Sequence, residues 1–247
     1  MEGQLFPTLV GLAVGGAGIG LGGIVAFGFG KYFEKISGLI LACAAGLIFA
    51  LLAFELVPES ISTGGLIATV IGVILGVLLI IRLEQFFHKV VIITDTPRQS
   101  MFIRSGILLA IGVAIHNFPV GFAMGSGLVN NGKFGLDLAM TMLFHNFPEG
   151  FAITLPLALS GLSPVSVPII SGIVALPAAL GSFLGSSLGV INPMLLAIFF
   201  GIAIGTIFLV TWHEILGHAV KTTRRIYLYP SVVMGLLLGI LFTRLIL

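Results

Sequence analysis

The chain has 247 residues, of which 58% are hydrophobic and only 8% charged, with a formal net charge of +2. A soluble domain carries roughly 25% charged residues, so this chain cannot build a water-facing surface, and its 11 scattered lysines and arginines form no nucleic-acid footprint. The single cysteine, Cys43, excludes a disulfide framework within the chain and any cysteine-rich zinc site.

Crossing a bilayer takes about 20 apolar residues. The chain divides into eight such stretches, at approximately 7–30, 36–58, 64–87, 103–128, 135–159, 163–189, 193–217 and 227–246. The expected fold is therefore an all-α membrane protein with one transmembrane domain, 1–247. No basic region precedes the first stretch, so it is expected to stay as a helix rather than be removed as a signal. The separators are short, the longest being the loop at about 88–102.

Lysine and arginine counts set orientation. Lys31, Lys35, Arg82, Lys89, Arg98, Arg104, Lys221, Arg224 and Arg225 fall at one set of ends, whereas only Lys133 and Arg244 fall at the other. This asymmetry places the 88–102 loop in the cytoplasm and both termini outside. Trp212, Tyr227 and Tyr229 flank the inner ends of the last two stretches, where interfacial aromatics belong.

Polar groups in mid-membrane are costly and mark functional positions. The fourth stretch contains HNFPVGFA from His116, and the fifth contains HNFPEGFA from His145. The two octapeptides differ at one position. The stretches run antiparallel, and each histidine lies 12 residues beyond a basic marker, Arg104 or Lys133. That is ~18 Å at helical rise, so both reach the middle of a ~30 Å hydrocarbon core. Secondary transporters build midplane sites from inverted repeats in this way.

The residue types suit a metal. His145 and Glu149 are four apart, which puts imidazole and carboxylate on one helical face. Pro119 and Pro148 each remove a backbone donor and free the carbonyls of Ile115 and Phe144. Imidazole with carboxylate favours zinc, iron or manganese over magnesium. The competing reading is interhelical glue, with His and Asn hydrogen-bonding across a packed interface; two facing copies with a carboxylate argue against it.

A fainter repeat supports an inverted architecture, with helices 1–3 set against 6–8 and helices 4 and 5 at the centre. Gly46 precedes Glu55 by nine residues, as Gly205 precedes Glu214, and Glu59 and His218 follow four later. Glu55 and Glu59 are expected towards the outer mouth, and His213, Glu214 and His218 towards the inner one. The string HEILGH near-misses the HExxH zinc-protease motif. Its histidines are five apart, about 140° around the helix against about 40° for a spacing of four. An intramembrane zinc-dependent hydrolase is kept as the alternative to transport.

With these motifs in hand, the chain resembles the ZIP (Zrt/Irt-like protein) metal transporters, particularly their compact prokaryotic branch. The HNFPEG string in helix 5 carries the resemblance most specifically. It implies uptake of a divalent metal, zinc first and Fe2+, Mn2+ or Cd2+ as neighbours, carried as substrate with no cofactor and no enzymatic turnover. It implies the ligands His116, Asn117, His145, Asn146 and Glu149, with Glu55 as a helix 2 carboxylate and His213 and Glu214 at the metal exit; the fainter repeat adds Glu59 and His218 to the route. It further implies an elevator-like movement of helices 1, 4, 5 and 6 against 2, 3, 7 and 8, and a homodimer; the short loops and the lack of a His-rich cytoplasmic segment point to a plasma-membrane location. Two positions depart from the family pattern: Val120 replaces a glutamate in helix 4, and Ala175 an acidic ligand in helix 6. One ion held by two histidines, Glu149 and an amide or water is therefore expected, unless Glu55 or Glu214 reaches in.

Overall fold

The computed structural model of the chain describes residues 2–32, 36–89, 96–130, 132–189 and 192–246. Among these there is no strand; backbone polar groups in hydrocarbon must be satisfied within the segment, and a helix does that. In order the helices are α1 (Glu2–Tyr32), α2 (Ser37–Leu51), α3 (Val57–Lys89), α4 (Pro97–Asn130), α5 (Gly132–Leu159), α6 (Ser166–Leu188), α7 (Pro193–Val210), α8 (Gly217–Thr222) and α9 (Arg225–Ile246). Two π-helical stretches, Leu52–Leu56 and Thr211–Leu216, join α2 to α3 and α7 to α8.

Among the described residues, six helical runs are long and apolar enough to cross a membrane: Gly3–Gly28, Gly38–Leu83, Gln99–Asn130, Ser166–Leu188, Pro193–Thr222 and Arg225–Arg244. The second has 46 residues, or ~69 Å at helical rise, more than twice the hydrocarbon thickness. It is not a straight rod. At Gly65 the backbone turns to φ 85°, ψ 164°, a conformation that only glycine adopts without strain. α5 is not among the six, because His145, Asn146 and Glu149 dilute its apolar run.

The sequence places a turn across 59–63; the structure keeps helix there and turns at Gly65. Hydroxyls account for the difference. Ser62 and Thr63 bond back to the Glu59 carbonyl, while Ser60 bonds both Thr69 and the Ala197 carbonyl of α7. The 88–102 loop is partly helical, since α4 begins at Pro97; residues 90–95 lie outside the described residues. Asn192 caps α7 by accepting the Met194 N–H at 2.9 Å, with Pro193 at the first helical position.

Large apolar side chains such as Ile67, Leu180 and Leu237 point outward, as expected of a surface that meets lipid. Inside, helices pair through glycine. A Cβ at Gly22 would strike the Phe147 carbonyl, and one at Gly150 would strike that of Ile19, so α1 and α5 meet backbone to backbone. Gly121 and Gly181 do the same for α4 and α6, Gly76 and Gly205 for α3 and α7, and Gly46 and Gly235 for α2 and α9. Small residues permit this approach where no hydrophobic effect drives helices together.

Candidate metal centre

The α4–α5 hairpin sets the depth of both motifs. His116 lies 14 residues before the end of α4 at Asn130, and His145 lies 13 after the start of α5 at Gly132. Both are thus ~20 Å from the same end. Their rings face each other with centroids 5.2 Å apart and planes at 49°.

Three side chains converge here. The Nε2 of His145 lies 3.2 Å from Oε1 of Glu149, and the Nε2 of His116 lies 4.0 Å from the same oxygen. One donor atom from each of His116, His145 and Glu149 falls within 4.8 Å of the other two. Donors around a tetrahedral zinc at ~2.1 Å stand about 3.4 Å apart, so a modest inward rotation would close the set on an ion. All three residues are buried.

A fourth group arrives from another helix. The sequence places Glu55 towards the outer mouth, but its carboxylate oxygen is 2.9 Å from Nδ1 of His145. The π turn explains how it gets there. The Val57 N–H bonds the Leu52 carbonyl, five residues back, and the next residue, Pro58, has no N–H to offer. Such one-turn bulges re-aim side chains and recur at functional positions. His145 therefore has a carboxylate at each ring nitrogen: Glu149 on the Nε2 side that faces His116, and Glu55 on Nδ1, behind the ring.

Several buried polar atoms have no partner among the described residues: Nδ1 of His116, Oδ1 of Asn117, both amide atoms of Asn146 and Oε2 of Glu149. Stranding such atoms in a dry interior costs ~1–3 kcal/mol each. Those of His116 and Glu149 belong to the three converging side chains, which fits a centre that takes a cation with its water. The asparagines lie on the flank of this centre. The Asn117 amide donates to the Val174 carbonyl of α6 at 3.3 Å, and Asn146 lies against Gly18 of α1.

The two departures from the expected ligand set have visible surroundings. Ala175 is fully buried with Gly15 of α1 directly against it: a Cβ at Gly15 would be 3.2 Å from the Ala175 methyl. No carboxylate fits there without parting α1 from α6. Val120 packs half-buried against an apolar cluster that includes Met124, Ala139 and Ala178.

Glu59 lines a cleft of about 420 Å³ with Thr63, Ser126, Asn130, Phe122 and Phe200. Phe200 is a buried ring on its wall whose centroid stands 6.4 Å from that of His116. Nothing in the evenly apolar α7 sequence singles out Phe200, and the sequence reading missed it. On the other side of His145 and Glu149, Leu51, Leu109, Val113, Ile153 and Ile207 line a space of only about 10 Å³. That is at the lower limit for a single water, so the centre is closed in this direction by apolar side chains.

His213 is exposed within the second π stretch, and His218 is buried edge-on to Phe102 with ring centroids 4.8 Å apart. The side chain of Glu214 lies outside the described residues.

Apolar helices long enough to cross a membrane, enclosing opposed histidines and carboxylates at mid-depth, define an integral membrane protein with an internal cation-type centre. The ZIP Zinc transporter family profile matches residues 92–247, well over half of the chain. The chain belongs to the ZIP family, whose members are metal transporters of the membrane. Among curated proteins nothing matches it. The matched segment contains both HNFP motifs but not Glu55, so the assignment of Glu55 to the centre rests on the structure alone.

Proposed function

We propose that the chain takes up a divalent transition metal, zinc foremost, through the centre formed by His116, His145 and Glu149, with Glu55 as the fourth group. The convergence of these four side chains is the observation that carries the reading. Two imidazoles and two carboxylates suit zinc, with iron, manganese and cadmium as near competitors. Two carboxylates also balance the charge of a divalent ion in a low-dielectric interior. The unpartnered oxygens of Asn117 and Asn146 serve the ion's remaining water.

The span count we favour is eight, with the Gly65 turn dividing the 46-residue run in two and α5 crossing as a polar helix within the bundle. An inverted repeat accounts for the pairing of helices. Exchanging α1 with α6, α2 with α7, α3 with α9 and α4 with α5 converts the α1–α5 contact into α6–α4. It likewise converts α2–α9 into α7–α3. All four of these pairs are sealed by glycine. Both π stretches also carry a glutamate nine residues after a glycine, at Glu55 and Glu214. The basic-residue asymmetry favours outward termini and a plasma membrane.

The glycine contacts also favour an elevator. α1, α4, α5 and α6 are sealed to one another backbone to backbone, and α2 to α9 and α3 to α7 likewise. Between the groups the glycine contact is looser: a Cβ at Gly112 of α4 would meet Ile207 of α7 at an ordinary 3.5 Å. His116, His145 and Glu149 ride on the first group and Glu55 on the second. Metal enters past Glu59 and Phe200 and is gripped by His116, His145 and Glu149, with Glu55 held behind His145 at its Nδ1. A shift of the first group withdraws it from Glu55, which removes one compensating charge and loosens the ion for release past His213, Glu214 and His218.

Uptake into proteoliposomes across a panel of metals tests the proposal. Zinc should accumulate in vesicles holding wild type, and not in those holding His145→Ala or Glu149→Ala at equal protein content. Zinc uptake retained by both variants would refute the assignment.

A further inference from the structure

A second cleft, of about 620 Å³, opens between α1 and α5 on one side and α2 and α9 on the other. Its walls are almost wholly apolar, among them Cys43 and Leu47 of α2, Phe147 and Phe151 of α5, and Met234 of α9. It follows α9 from Tyr227 to Phe242, ~22 Å at helical rise. One leaflet of hydrocarbon is ~15 Å deep, so the cleft accommodates a whole acyl chain.

The packing on either side makes this gap unusual. α1 is sealed to α5, and α2 to α9, by glycine against backbone. Between the two pairs the side chains stand apart, and an unfilled gap of this size forfeits dispersion contacts along every wall. One end of the cleft is polar and basic. Tyr227 and Ser231 line it, and Arg224 and Arg225 are exposed beside it. The Arg224 carbonyl accepts the N–H groups of Tyr227 and Leu228 at 2.9 and 3.0 Å, which sets Arg224 one turn below the Tyr227 ring.

We propose that this cleft binds one acyl chain of an anionic glycerophospholipid, whose headgroup lies against Arg224 and Arg225. The chain's far wall is the back of the metal-binding turn, since Phe147 and Phe151 bracket Pro148 and Glu149. A seated lipid is then a packing element between α5 and α2, next to the helices that carry His145 and Glu55. The inference does not depend on which ion the centre takes.

Cys43, the only cysteine of the chain, lies on the cleft wall and serves as a native reporter. The full chain in detergent is titrated with phosphatidylglycerol or phosphatidylcholine while a small maleimide alkylates Cys43. Phosphatidylglycerol should protect Cys43 at lower mole fraction than phosphatidylcholine, by about fivefold for each arginine. Arg224→Gln with Arg225→Gln should equalise the two lipids without abolishing protection. Met234→Trp, at an exposed position of the wall, should fill the cleft, and native mass spectrometry should then show loss of the phosphatidylglycerol retained by wild type. Equal protection by both lipids in wild type, unchanged lipid retention in Met234→Trp, or protection that follows protein concentration instead of lipid, as a second copy of the chain would give, overturns the proposal.

Discussion

The Nδ1 of His145 and the carboxylate of Glu55 lie 2.9 Å apart although 90 residues separate them along the chain. His145 belongs to a helix sealed by glycine to α1, and Glu55 to the π turn after a helix sealed to α9. The contact therefore joins two separately packed groups of helices through the residue at the heart of the centre.

Glu55→Gln keeps the shape and removes the charge. Metal affinity should fall ~10–100-fold, the range for a partner that orients or supplements a metal-binding histidine. Isothermal titration of the purified variant with zinc measures this. An affinity equal to wild type would leave Glu55 outside the centre.

Val120→Glu adds a carboxylate one helical turn beyond His116. Because Val120 packs half-buried beside apolar neighbours, the metal-free variant should be less stable by ~1–3 kcal/mol, the cost of an unpaired buried polar group. Zinc should recover that stability and bind more tightly than to wild type, with slower release. Thermal unfolding with and without zinc reads both effects, and equal or weaker binding in the variant would count against a second carboxylate as a metal ligand.

Acidification should weaken binding. Imidazole coordinates only through an unprotonated nitrogen, so protons compete with the ion at His116 and His145. The sign is fixed: affinity rises with pH and falls as pH drops through the histidine range. Each displaced proton contributes up to about tenfold per pH unit. Radiometal binding across a pH series checks it, and a flat profile would exclude histidine ligation.

Glycine substitutions separate packing within a group from packing between groups. Gly22→Ala drives a methyl into the Phe147 carbonyl and should cost ~1–3 kcal/mol by overpacking. Gly112→Ala meets only ordinary contact distances and should unfold like wild type. Thermal unfolding of both in detergent compares them. A destabilised Gly112→Ala would mean that the two groups are as tightly joined as the helices within them.

Composition alone determined that this chain belongs in a bilayer, because 8% charged residues cannot cover a soluble surface. The duplicated HNFP motif determined which residues meet, because two antiparallel helices with matched counts from their ends bring His116 and His145 to one depth. His145 and Glu149 were legible for the same reason: four residues is one helical turn, and local spacing is written in the sequence. Glu55 was not. Its direction depends on a π turn, and one extra residue swings every later side chain by about 100°. The reason for Ala175 was equally hidden, since only the approach of Gly15 from α1 shows why no larger side chain fits. Periodicity reports each helix's own faces; which faces close on one another, and which polar group is carried into the centre by doing so, was decided by the packed bundle.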